Sequence, residues 1–88
     1  MTTVLQSGGF DVVIYKNDHR PAHIHVIGGS GIVVINLNGR YEKPSVRENY
    51  GMKKGDLIKA LQVTAEHKKM LAKEWKRMHP PVKAKKAR

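Results

Sequence analysis

The stretch HIHVIGGSGIVVINL, residues 23–37, decides the fold. Its first part, HIHVI (23–27), alternates polar and apolar side chains, the period of a strand with one buried face. The glycine-rich GGSG (28–31) supplies a tight reversal, because glycine relieves the steric limit on backbone φ. The run IVVINL (32–37) is almost wholly apolar and β-branched, which suits a strand with neighbours on both sides. Two strands joined by so short a turn must lie antiparallel.

Working towards the N-terminus, Lys16 to Ala22 holds Asn17, Asp18 and Pro21 and reads as a loop. FDVVIY (10–15) is a further strand, QSGG (6–9) a turn, and Val4-Leu5 a short first strand. Towards the C-terminus, Asn38-Gly39 opens another turn and Ser45 to Glu48 forms a fifth strand, with Pro44 at its margin. From Asp56 the period changes. Leu57, Leu61, Ala65, Leu71, Trp75 and Met78 recur at helical steps, except for the gap between Ala65 and Leu71. Lys59, Lys68, Lys69, Lys73 and Lys76 fill much of the other side, so the spacing predicts one long amphipathic helix ended by His79-Pro80-Pro81. A break near Glu66-His67 would divide it in two. Lys53-Lys54-Gly55 offers no good cap, although Asp56 suits the helix dipole. The expected architecture is α+β: a small curled antiparallel sheet of four or five strands packed on one long C-terminal helix. Residues 1–79 form a single α+β domain, and 80–88 a basic, disordered tail.

With 88 residues the chain has room for a thin core. It has no cysteine, so disulfides and thiolate metal sites are excluded, and a cytoplasmic home fits. Its first residues lack the basic and long apolar segments of a signal peptide, and no apolar run is long enough to span a bilayer. No cofactor motif occurs. Charge is the strongest global feature: 17 Lys and Arg stand against 7 Asp and Glu, a net +10. Without Pro80 to Arg88, 13 basic residues still face 7 acidic ones, leaving +6. Such a chain favours polyanions: RNA, DNA or an acidic protein.

Three of the five histidines fall within NDHRPAHIH, residues 17–25. If 23–27 is extended, Ile24 and Val26 face the helix while His23 and His25 share the opposite, accessible face. His19 lies in a loop able to fold back beside them. Three chemical readings stay open. In the first, the histidines cleave RNA: His23 and His25 handle the protons, with His19 as a third candidate, and Lys16, Arg20 or Arg47 stabilise the phosphate. In the second, His19, His23 and His25 hold a metal, with Asp18 as a further ligand. In the third, they are polar turn and strand residues. Glu48 is a weaker candidate, as a base or as a group orienting a histidine. Lys69 and Lys73 on the basic helix face are candidate nucleic-acid contacts. Tyr15 and Tyr50 are candidate stacking residues, and GGSG is a hairpin rather than a phosphate loop because it joins two strands.

The string VVIYKNDHRPAHIHV (12–26), followed by Asn36-Leu37, by RENYGM (47–52) and by a final helix bearing a tryptophan, resembles a family of small bacterial proteins. That family is catalogued as "domain of unknown function 4160". Asp18, His19, Pro21, His23 and His25 match its signature positions. Many members start the helix with Ser or Thr followed by Glu, where this chain has Lys53, Lys54 and Gly55. Members often have an acidic residue near the start of the fourth strand, where this chain has Ile32. The setting of the family's genes is similar to that of toxins in toxin–antitoxin pairs. The resemblance therefore implies an RNA target and an acidic partner protein such as a cognate antitoxin. The resulting expectation is a toxin-like, nucleic-acid-binding protein of a two-gene system, with metal-independent ribonuclease chemistry. The alternative is a non-catalytic nucleic-acid- or protein-binding module, a regulator or a phage-derived modulator, acting through its basic surface.

Overall fold

A computed structural model describes residues 2–80. Five strands form one antiparallel sheet in chain order: β1 (Thr2–Ser7), β2 (Phe10–Ile14), β3 (His23–Gly28), β4 (Gly31–Asn36) and β5 (Ser45–Tyr50). A single turn of 3-10 helix, Arg40–Glu42, lies between β4 and β5. Strand β4 is interior, as its apolar run predicts. The fifth strand reaches Tyr50 rather than Glu48, and the first spans six residues rather than two.

Side chains of one parity close the core. Val12 and Ile14 of β2, Ile24 and Val26 of β3, and Val33 and Ile35 of β4 pack with Ala60, Val63, Leu71 and Trp75 of the C-terminal helices. Each such large apolar side chain contributes about 1.5–3 kcal/mol relative to exposure.

Two helices cover this face, not one: α1 (Lys54–Glu66) and α2 (Lys68–Met78). His67 leaves helical geometry at φ −115° and ψ 19°. Its backbone N–H donates to both Val63 and Thr64 carbonyls, and its ring Nδ1 lies 3.0 Å from the Val63 oxygen. The interruption in the apolar spacing between Ala65 and Leu71 marks this break. The buried stripe of α1 also differs from the expected one. Ala60, Val63 and Thr64 are the buried residues of α1, whereas the expected stripe residues Leu57 and Leu61 are half-buried and Ala65 is exposed. Small side chains at 60 and 64 let the helix approach the sheet, and the Thr64 hydroxyl is satisfied by donating to the Ala60 carbonyl at 2.8 Å.

Lys53 gives α1 no side-chain cap. Ser30, at the β3–β4 turn, supplies one from outside: its Oγ accepts the Lys53 N–H at 2.8 Å and lies 3.5 Å from the Asp56 carboxylate. The hairpin that decides the sheet therefore also fixes the start of the helix. Gly31 makes this close approach possible, because an added Cβ would run into the Tyr50 carbonyl. Among the described residues, no helix is long and apolar enough to cross a membrane. The disordered-tail expectation for 81–88 lies outside the described residues.

Candidate functional site

The second face of the sheet carries the other parity. One row crosses four strands: Val13 pairs with His25, His25 with Val34, and Val34 with Glu48. The loop between β2 and β3 folds over one end of this face. Asp18 closes the loop on itself: its N–H donates to the Tyr15 carbonyl at 3.1 Å, and its Oδ2 accepts the Tyr15 N–H at 3.3 Å.

That turn holds the Asp18 carboxylate above β3. Its Oδ2 lies 3.4 Å from His23 Nε2 and 3.8 Å from His25 Nδ1. His23 Nδ1 is 2.8 Å from the Pro21 carbonyl, a contact that requires a proton on Nδ1. Arg47 Nη1 reaches the same nitrogen at 3.3 Å; it cannot donate to a protonated Nδ1, so this contact places a charge beside the ring rather than a hydrogen bond. His23 is thus buried with both nitrogens occupied, not accessible as the strand alternation predicts, because the loop covers it.

His25 is held differently. The Tyr15 ring meets its edge in a T-shaped contact at 4.5 Å. Its Nδ1 is buried without a hydrogen-bond partner. Burial pushes its pKa below the ordinary 6.5; Asp18 opposes that shift, and the neighbouring His23 and Arg47 reinforce it. The imidazole is therefore neutral at physiological pH.

Arg47 owes its position to a register shift. Val34 pairs with Glu48, but the next residue, Ile35, pairs with Val46, so Arg47 is the extra residue of a bulge. In a regular strand Arg47 and Glu48 would point to opposite faces; the bulge brings both to the same cavity. Glu48 also accepts a 2.6 Å hydrogen bond from the Tyr50 hydroxyl, which pushes the Tyr50 pKa up.

The cavity holds about 230 Å³ and is lined by Asn17, Asp18, His19, His23, His25, Val34, Arg47 and Glu48. It brings together His19, His23, His25, Arg47 and Glu48 of the candidates named from sequence. Lys16 and Arg20 lie outside its lining. Arg20 instead sets its guanidinium 5.3 Å from the centre of the buried Trp75 ring, a cation–π contact. Lys69 and Lys73 line a separate groove with Ala72 and Lys76 on α2. Among the described residues, no group of three or more His, Cys, Asp or Glu side chains is arranged to hold a metal ion.

Two roles escape a reading of residues alone. Asp18 is the carboxylate around which the histidines are arranged, and its spacing from Tyr15 is the one sequence signal for that turn. His79, expected as a plain helix end, stacks on Trp75 at 3.9 Å and places its ring nitrogens 2.8 Å from the Trp75 carbonyl and 3.0 Å from the Tyr15 carbonyl. It ties the end of α2 to the root of the loop.

The arrangement can move a proton beside a fixed positive charge: a neutral imidazole, a guanidinium and two carboxylates share one small opening. No curated protein and no solved structure is significantly similar to the chain. A model of one family, described as a domain of unknown function (DUF4160), matches residues 9–76, a span that includes the loop, the cavity and Trp75. By that match over most of its length, the chain belongs to the DUF4160 family.

Proposed function

We propose that the protein is a toxin-like module that binds RNA and cleaves it without a metal. One observation carries the reading: His25, kept neutral by burial, shares a cavity with the Arg47 guanidinium. In the reaction, His25 takes the proton of a ribose 2′-hydroxyl. The freed oxygen attacks the adjacent phosphorus and the bond to the 5′-oxygen breaks. His19, in its imidazolium form, returns a proton to that leaving oxygen. Arg47 offsets the charge that builds on the phosphate. The products are a 2′,3′-cyclic phosphate and a free 5′-hydroxyl. Asp18 and His23 act as positioning residues, since both His23 nitrogens are already engaged.

The test incubates the purified protein with single-stranded RNA, with and without EDTA. Wild type should cleave in both conditions. His25→Ala should lower the rate by about 10²–10⁴-fold, the usual size of a general base's contribution, with RNA affinity retained. Absence of cleavage by wild type would overturn the catalytic reading, and loss with EDTA would transfer the histidines to metal binding.

A second reading has its own observation. Lys69, Lys73 and Lys76 line one groove, a surface suited to binding RNA or DNA, or an acidic partner such as an antitoxin, without chemistry. Charge reversal at Lys69 and Lys73 should then weaken binding and reduce its salt dependence. On a single strand the slope should fall by about 0.7 for each phosphate that is no longer neutralised.

A further inference from the structure

Beside the cavity, the same sheet face changes character. One row along from His25, Val34 and Glu48, the register pairs Ile27 with Ile32 and Ile32 with Tyr50. Same-face residues on a strand are about 7 Å apart, so this row lies directly next to the cavity row. Ile32 is 38% exposed and Tyr50 59% exposed, although both belong to a sheet whose other face is closed. The Tyr50 hydroxyl donates to Glu48, a cavity residue, at 2.6 Å. The phenol is thus anchored at its polar end while much of the side chain stays open.

We propose that Tyr50, with Ile32 beside it, is a stacking platform for a nucleobase of single-stranded RNA whose neighbouring phosphate sits at Arg47. The inference rests on the RNA reading above and adds the subsite that holds the base. Three features favour this occupant. The platform is apolar and aromatic, the surface on which an unpaired base stacks. It adjoins the cavity that holds Arg47, so a base and its phosphate find complementary partners one step apart. The chain's net charge of +10 favours a polyanion as the occupant over another basic surface. Bases in a duplex are already stacked, so the subsite selects single strands. Its contacts are stacking contacts, so it discriminates weakly among bases.

The experiment measures binding by fluorescence anisotropy, using a labelled 2′-O-methyl single-stranded oligoribonucleotide. That probe has no 2′-hydroxyl to react, so binding is read apart from cleavage. A matched abasic oligomer keeps the phosphates and removes the bases. Tyr50→Ala should weaken binding of the base-bearing strand by about 5- to 150-fold, the range for one lost base–aromatic stack. Tyr50→Phe, which keeps the ring and drops the bond to Glu48, should bind like wild type. Ile32→Thr, which keeps a β-branched strand residue, should weaken binding less than Tyr50→Ala. On the abasic oligomer, wild type and Tyr50→Ala should bind alike. Equal affinity of wild type and Tyr50→Ala for the base-bearing strand would overturn the platform, as would failure of wild type to bind it. Ring-dependent binding without RNA cleavage would leave the platform standing and remove the catalytic reading; cleavage with no effect at Tyr50 would do the reverse.

Discussion

The two faces of the sheet are made from the same strands and do opposite things. On the helix side, Val12, Ile24, Val26, Val33 and Ile35 meet Leu71 and Trp75, and the surface is closed. On the other side, Val13 and Val34 are buried as well, yet between and beside them lie His25 and Glu48, and a loop rather than a helix provides cover. The closed face meets other apolar side chains. The open face meets a polar loop, whose carboxylate and carbonyl groups engage its histidines. The difference shows where this small protein can hold chemistry. A helix laid over the histidines would bury their nitrogens without partners, whereas the short loop supplies partners to His23 and leaves an opening.

The largest effect belongs to the closed face. Trp75 is almost wholly buried, stacks on His79 and lies under Arg20. Trp75→Ala should cost about 3–5 kcal/mol in chemical denaturation, as large aromatic deletions do. Because His79 and Arg20 tie this residue to the loop, the same change should loosen the open face, read as faster hydrogen exchange at the Asp18 amide. Full protection of Asp18 in the variant would show that the two faces are independent.

A smaller effect belongs to the join between sheet and helix. Ser30→Ala removes the oxygen that accepts the Lys53 N–H, and should cost about 1 kcal/mol, the usual worth of a cap. Thermal or denaturant unfolding reads it, and an unchanged midpoint would mean that Asp56 and the helix dipole suffice.

The smallest effect sharpens the open face. The pKa of His25 is depressed in the folded protein, so the unfolded chain takes up its proton first as pH falls. This group's share of stability is full above its ordinary value of 6.5 and is lost as pH falls from there through the folded pKa. Denaturation midpoints of wild type and His25→Gln, compared at about pH 5 and about pH 8, should show a shallower pH dependence in the variant. Titration of His25 by NMR should give a midpoint below 6.5, and Asp18→Asn should lower it further, because Asp18 is the largest influence raising it. A midpoint at or above 6.5 would show that burial does not depress the His25 pKa.

Much of this protein was settled by local pattern. The alternation in 23–27, the glycines of 28–31 and the apolar run of 32–37 determine an antiparallel hairpin, because a one-residue slip would turn every core side chain outward. The helical spacing after Asp56 determines an amphipathic cover, and the 12–26 string with its companions pointed to the family that matches. Local pattern could not determine what depends on partners distant in the chain. Ser30 caps a helix that begins more than twenty residues later. Packing against the sheet buries Ala60 and Thr64 of α1 and leaves Ala65 exposed, a phase that spacing alone did not specify. Arg47 joins the cavity through a shift in pairing between β4 and β5, a property of two strands that neither carries alone. The loop turns Asp18 over His23 and His25, sealing His23, while burial lowers the pKa of His25 against the opposing pull of Asp18. Periodicity specifies which side chains share a face. The burial, hydrogen bonding and charge that give those side chains their chemistry arise only where separate segments meet.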